Sequence, residues 1–113
     1  MAGVGDLAVA GNVFYVSTTF NPVAQGVLKL DALSGRQMGV VAPNIRPGAL
    51  LVVKSGLFVG SCCTGLLTKY ALNGGRSLET IQLQSSAFSL LAFDSNIWVA
   101  QYGTPDIYVF PDT

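Results

Sequence analysis

An all-β fold is predicted by three features of this 113-residue sequence. Its apolar residues form runs of about four to eight, too short for helices, and none keeps a helical period over three turns. Turn-forming residues separate these runs, as in Gly11-Asn12, Ser55-Gly56 and Ser95-Asn96. The same order of apolar runs and turns recurs about every 40 residues. These features together favour antiparallel sheets built from a repeated unit.

The repeat becomes visible when three turn residues, Asn12, Gly56 and Asn96, are aligned. In each copy one apolar run precedes this anchor and a second follows it. A third run comes after a polar loop, and a fourth follows a turn that contains glycine. Copy by copy, the runs are 6–10, 13–16, 26–33 and 37–42; 50–53, 57–60, 65–72 and 77–83; and 89–93, 97–100 and 106–110. Four short strands per unit, repeated about every 40 residues, are typical of β-propeller blades.

The number of units predicts an incomplete ring. Two units have four strands and the third stops after three, which gives about 2.75 blades, whereas a closed ring needs roughly four to eight. We therefore predict a single partial β-propeller over 1–113, with blades of four antiparallel strands at about 6–48, 49–88 and 89–113. Its end blades are expected to present apolar faces and an unpaired strand edge, both of which favour association.

Within each unit the strands differ in a way that fits blades. The first two strands are almost continuously apolar, as expected for strands that are covered on both faces. In the alignment Phe14, Phe58 and Trp98 share one position, and we expect these rings to pack between blades rather than to bind a ligand. The third and fourth strands carry polar residues that are expected nearer the rim: Lys29, Asp31, Lys69, Glu79 and Gln82.

Composition argues against several classes of function. Six Lys and Arg balance six Asp and Glu, so the net charge is zero, and nucleic-acid binding, which needs clustered basic residues, is not expected. No apolar run approaches the roughly 20 residues of a membrane span, and the first residues do not resemble a signal peptide. The adjacent Cys62 and Cys63 are predicted to be free thiols, which favours an intracellular setting but leaves the compartment open.

Two stretches resemble a known repeat family. Residues 46–75, RPGALLVVKSGLFVGSCCTGLLTKYALNGG, resemble an NHL-type repeat, with Pro47-Gly48 at its entry and a Gly turn at its end. Residues 93–110, FDSNIWVAQYGTPDIYVF, are similar, although Gln101 stands where the family often has Asp and Asp106 where it often has Arg. YVTN-type and SMP-30-like propellers share this spacing. The resemblance implies a β-propeller, and relatives of this kind include lactonases and lyases that hold a metal in the central tunnel.

The sequence contains no catalytic signature. It has no His, which removes histidine triads, histidine bases and histidine metal ligands from this segment. Cys62 and Cys63 therefore lack a His that would activate them. The acids are scattered, and Asp6 and Asp94, the nearest candidates for polar groups on inner strands, are better interpreted as solvated turn residues. We predict no catalytic residue, no metal site and no cofactor.

Binding is instead expected at the loops that share one end of the blades, because loops on a rigid scaffold commonly carry function. These loops join the second strand to the third, and the fourth to the next blade; they are 17–25, 43–47, 61–64, 84–88 and 101–106. Phe20, Arg46 and Tyr102 are the predicted binding residues, since exposed aromatic and Arg side chains anchor interfaces. Gln101, at the position where the family often has Asp, is added to them.

Three functional hypotheses follow. The leading one is a non-enzymatic protein-interaction scaffold that binds a protein partner, or further blades of the same propeller, through its loops. The alternative is a fragment of a propeller enzyme, of lactonase or lyase type, whose catalytic or metal-binding residues lie in other blades. RNA recognition by an NHL-like face is disfavoured by the low charge. We favour a segment of a longer propeller, or a truncated gene product, and a homo-oligomer is the alternative if the chain is complete.

Overall fold

The computed structural model describes residues 3–19, 26–41, 47–61, 64–73 and 75–112. They form eleven strands, and among them there is no helix that is long and apolar enough to cross a membrane. The strands are β1 (Gly3–Ala10), β2 (Val13–Thr19), β3 (Val27–Asp31), β4 (Gln37–Val41), β5 (Pro47–Val53), β6 (Gly56–Ser61), β7 (Leu66–Tyr70), β8 (Ser77–Gln82), β9 (Ala87–Phe93), β10 (Asn96–Gln101) and β11 (Ile107–Pro111).

Each sheet is an antiparallel meander in which every strand pairs with its neighbour in sequence. Strands β1 to β4 form blade 1, β5 to β8 form blade 2, and β9 to β11 form blade 3, which has three described strands. The inner strands pack on one another, β1 on β5 and β5 on β9, so the three blades stack face to face. The predicted all-β fold of four-stranded propeller blades in an incomplete ring is confirmed.

The hairpin between the first two strands corrects the sequence alignment by one residue in blade 1. Val13, and not Asn12, is equivalent to Gly56 and Asn96, because each of these opens the second strand of its blade. Alignment on Asn12 was wrong because Gly11-Asn12 forms the whole turn, whereas Gly56 and Asn96 already belong to strands. The pairs that close the equivalent hairpins are Ala10–Val13, Val53–Gly56 and Phe93–Asn96.

This offset changes the aromatic column. Tyr15, rather than Phe14, shares a position with Phe58 and Trp98. Tyr15 and Phe58 are 2% and 0% exposed and pack between blades, as expected for the column. Phe14 lies on the opposite face of blade 1 and is exposed, and Trp98 is 38% exposed because it lies on the side of blade 3 that faces away from blade 2.

Two apolar cores hold the blades together. Along β6 the side chains alternate, so that Leu57 and Val59 face blade 1 while Phe58 faces blade 3. Burial disfavours the charged phenolate and so raises the pKa of Tyr15 and of Tyr70 above the ordinary value. The buried residues of the first core are Tyr15, Val27, Val41, Leu50, Leu57, Val59 and Tyr70; those of the second are Ala49, Phe58, Leu67, Leu83, Ala87, Ile97, Val99 and Phe110.

A β-bulge recurs at the loop end of each inner strand. Strands β1, β5 and β9 each carry one residue more than the partner strand at this place. Counting back from the hairpin makes Gly5, Gly48 and Phe88 equivalent within the bulge. Because a bulge bends its strand and re-aims a side chain, this position matters for what the loop end presents to solvent.

Candidate functional site

The candidate site is the loop end of blade 3, where two of the four predicted binding residues are described. Gln101 ends β10, and Tyr102 opens the loop that follows it. The other two, Phe20 and Arg46, lie outside the described residues, as do Cys62 and Cys63. The described part of the site comprises the loop end of blade 3 and the adjoining edge of blade 2.

Two exposed aromatic rings stand side by side at this end. The ring of Tyr102 packs edge-on against that of Phe88, with 5.0 Å between the centroids and 75° between the planes. They are 57% and 61% exposed, which is high for large apolar side chains in contact with each other. The Tyr102 N–H donates to the Ser86 carbonyl oxygen at 3.0 Å and so fixes the loop that carries the ring. The result is a positioned aromatic pair in solvent.

Phe88 was not among the predicted binding residues, although it ends the predicted loop 84–88. It occupies the bulge position at which blades 1 and 2 have glycine, Gly5 and Gly48. The signal in the sequence is a large ring at a position where the other two units have glycine. Alignment on Gly56 and Asn96 already matches Phe88 to Gly48, and only the match to Gly5 needs the corrected register of blade 1. The bulge accounts for the exposure of a phenylalanine in an inner strand.

Gln101 has a structural role at the site. Its side chain is buried, and its Oε1 accepts a hydrogen bond from the Ser85 N–H at 3.0 Å. This bond ties the loop between β8 and β9 to the end of β10. Since Tyr102 follows Gln101 directly and its N–H bonds to Ser86, the two bonds hold the loop at consecutive residues. Gln101 thus supports the segment that leads into Phe88.

A shallow cleft of about 240 Å³ opens beside Gln101, between the outer parts of blades 2 and 3. Pockets that hold small molecules are commonly about 300–1,000 Å³ and largely enclosed. The cleft is smaller than that and open, so its dimensions suit one protruding side chain. The residues that line it are Gln82, Leu83, Gln84, Gln101, Asp106, Ile107 and Tyr108.

Three acids in the described part of the chain are used to hold the fold. Asp6 bonds to backbone N–H groups, Asp31 Oδ1 accepts the Leu33 N–H at 2.9 Å, and Asp112 pairs with a lysine. Asp94 lies in the hairpin turn of blade 3 with φ of 54°, in line with its interpretation as a turn residue. Among the residues that the structure describes, no three His, Cys, Asp or Glu side chains are grouped so as to hold a metal ion.

Asp6, the predicted turn residue, in fact links two blades from within β1. Its Oδ2 accepts the Leu50 N–H of β5 at 2.8 Å, and its Oδ1 accepts the Leu7 N–H at the same distance. Bonds to an ionised acceptor are stronger than neutral ones. The carboxylate therefore joins the inner strands of blades 1 and 2.

We predict that Asp6→Ala lowers the free energy of unfolding by about 1–3 kcal/mol, because the Leu50 N–H loses its acceptor at the contact between blades. Asp6→Asn keeps one acceptor oxygen and is expected to lose less. Urea unfolding followed by circular dichroism measures both. Equal losses in the two variants would contradict a role as acceptor.

No family model matches the sequence, and no curated protein matches it. Solved structures do match in fold. The computationally designed protein Ika4 superposes with a TM-score of 0.76 at 15% identity, over 96% of this chain and 65% of that one. The dihydro-heme d1 dehydrogenase NirN gives 0.75 at 13%, over 96% and 25%. Hydrazine synthase of Kuenenia stuttgartiensis gives 0.75 at 18%, over 89% and 30%.

The last two of these are β-propeller-like proteins. This chain has a β-propeller fold. It spans 65% or less of the length of each of the three solved chains. At these identities the likeness concerns the fold alone, and the NHL-type resemblance stays a prediction.

Proposed function

We propose that this chain is an NHL-like propeller segment that binds a protein partner at the loop end of blade 3. The observation that carries the proposal is the exposed pair of Phe88 and Tyr102. Aromatic side chains supply large contact areas and dominate the energetics of interfaces. Exposed, touching rings at a loop end are therefore the feature that a partner would cover.

The restricted motion of Phe88 and Tyr102 before binding supports this proposal. The backbone under each ring is held before binding, at Tyr102 by its N–H bond to Ser86 and at Phe88 by its place in a strand, and the edge-on contact between the rings restrains the side chains. Immobilising a free side chain costs about 0.5–1.5 kcal/mol on association, so a restrained ring loses less. The cleft beside Gln101 adjoins the same loop and is of a size to take one side chain of the partner.

The alternative function, a fragment of a propeller enzyme, has less support. NirN and hydrazine synthase are enzymes by name, but they share only the fold with this chain. In the described residues Asp6 and Asp112 are engaged in contacts between blades. The enzyme hypothesis therefore rests on residues outside the described part of the chain.

A peptide selection tests the proposal. A phage-displayed library of random peptides is selected on the chain, and the peptides obtained are titrated against Phe88→Ala and Tyr102→Ala. We expect each substitution to weaken binding at least about tenfold, as loss of an interface anchor does. The matched control is Leu33→Ala, an exposed apolar residue in the turn between β3 and β4 at the opposite end of the blades.

Leu33→Ala should leave the peptide affinities unchanged. Peptides that bind the two aromatic variants as tightly as the unmodified chain would overturn the proposal, because the aromatic pair would then contribute nothing to binding.

A further inference from the structure

The two ends of the blade stack each expose an apolar sheet face. On blade 1 the exposed face carries Leu7, Val9, Phe14 and Val40, with 42–64% exposure. On blade 3 it carries Leu91, Phe93, Trp98, Ile107 and Val109, with 38–66% exposure. None of these nine side chains is charged. Contiguous exposed apolar surface of this kind marks interaction sites.

The repeat indicates what covers such a face. We call the side of a blade that faces the next blade in the chain its forward face, and the other side its rear face. Phe58 lies on the forward face of blade 2 and packs on blade 3, in a core with Ile97 and Val99. Tyr15 lies on the forward face of blade 1 and packs with Leu57 on the rear face of blade 2. Both contacts within the chain join a forward face to a rear face.

One of the two exposed faces is a forward face and the other is a rear face. Trp98 is equivalent to Phe58 and Tyr15, so the exposed side of blade 3 is a forward face. Phe14 is equivalent to Leu57 and Ile97, so the exposed side of blade 1 is a rear face. Within the chain, the forward faces of blades 1 and 2 are each covered by the rear face of the next blade. A second copy of this chain offers the same kind of rear face, on its blade 1, to the forward face of blade 3.

The exposed apolar area is comparable with that of a small stable interface. Weighting ordinary side-chain areas by the exposures gives about 400 Å² of apolar surface on each face, or about 800 Å² in one contact. Stable interfaces bury about 1,200–2,000 Å² in total, of which roughly 60% is apolar. One forward-to-rear contact between copies thus reaches the lower part of the usual range, and the net charge of zero adds no overall repulsion.

We propose that a second copy of this chain docks its blade 1 rear face on the blade 3 forward face. Such a contact is heterologous, and it closes into a ring or continues into a longer assembly according to its rotation. Two copies would stack six sheets, two of them with three described strands each, and six lies within the range of about four to eight blades found in propellers. A dimer is the smallest assembly that covers all the end faces.

Two double variants test this contact. Leu7→Glu/Val9→Glu places charge on the rear face of blade 1, and Leu91→Glu/Phe93→Glu places charge on the forward face of blade 3. All four side chains are exposed in the single chain, so both variants are expected to keep its far-ultraviolet circular dichroism. Light scattering after size exclusion, over a wide range of concentration, gives the mass of each.

We expect the unmodified chain to be a dimer or larger, and each double variant alone to be a monomer. A mixture of the two variants should form a one-to-one dimer, since one supplies an intact forward face and the other an intact rear face. The control Leu78→Glu, on the outer strand of blade 2, should associate as the unmodified chain does.

Three outcomes would overturn the proposal. An unmodified chain that stays monomeric at every concentration would show that a second copy does not cover these faces. A double variant that still dimerises by itself would indicate contact between like faces. Variants that remain separate when mixed would contradict a forward-to-rear contact.

Discussion

Phe58→Ala is expected to lower the free energy of unfolding by about 3–5 kcal/mol, the usual range for truncating a buried aromatic ring. Phe58 is fully buried between blades 2 and 3. Its ring meets that of Phe110 edge-on at 5.8 Å, and the Lys69 ammonium lies 5.5 Å from the ring centroid. Truncation removes the ring from the middle of the second core, where rigid sheets on both sides limit collapse of the cavity.

Trp98→Ala is the matched control, since Trp98 occupies the same position in blade 3. We expect it to cost less than half as much as Phe58→Ala, because no described blade covers it and a wide part of its ring stays in water. Both substitutions are compared by urea unfolding in the Leu7→Glu/Val9→Glu background, where contact between copies is blocked. Equal costs would show that burial between blades is not what makes Phe58 important.

The fold was predictable because its signals are local. Short apolar runs, turn residues and a repeat of about 40 residues are enough to specify antiparallel blades. The register of blade 1 was not predictable, because Gly11-Asn12 and Ser55-Gly56 are similar pairs of turn-forming residues although only the first pair forms the whole turn. Side chains alternate along a strand, so an error of one residue assigned Phe14 to the face that Tyr15 occupies.

Only part of the candidate site was predictable, because some of its residues follow from the strand order and others depend on the exact register. Tyr102 is an aromatic residue in a loop whose position follows from the strand order, and its exposure could be expected. Phe88 depends on a bulge, which adds one residue to a strand without a clear mark in the sequence. Gln101 was chosen for its place in a family pattern, whereas its contacts are with the neighbouring loop.

Lys69 shows a further limit of sequence analysis. A lysine in the third strand was expected near the solvated rim, but its side chain is only 5% exposed and lies at the contact between blades 2 and 3. Its Nζ is 3.4 Å from Asp112 Oδ1, and the same oxygen accepts the Ser55 hydroxyl at 2.7 Å. Asp112 follows β11, so this ion pair fastens the last described strand to blade 2 and lies beside the ring of Phe58.

Removing Lys69 and removing Asp112 are expected to lower the free energy of unfolding by different amounts. Asp112→Ala leaves the Lys69 ammonium in a buried place without its carboxylate, and we expect a loss of about 3 kcal/mol in the free energy of unfolding. Lys69→Met fills a similar volume with an apolar side chain. Asp112 is already more exposed than Lys69, at 19% against 5%, and it keeps its bond to the Ser55 hydroxyl. Lys69→Met is therefore expected to lower the free energy of unfolding by less than Asp112→Ala does.

A double-mutant cycle tests this asymmetry between Lys69 and Asp112. Because the penalty in Asp112→Ala comes from the loss of the carboxylate that faces a buried ammonium, adding Lys69→Met should restore stability, so that Lys69→Met/Asp112→Ala unfolds at a higher urea concentration than Asp112→Ala. A double variant as unstable as the sum of the single losses would mean that the two side chains stabilise the contact independently. Each side chain would then act through its own packing and hydrogen bonds, and the pairing of the two charges would add nothing to stability.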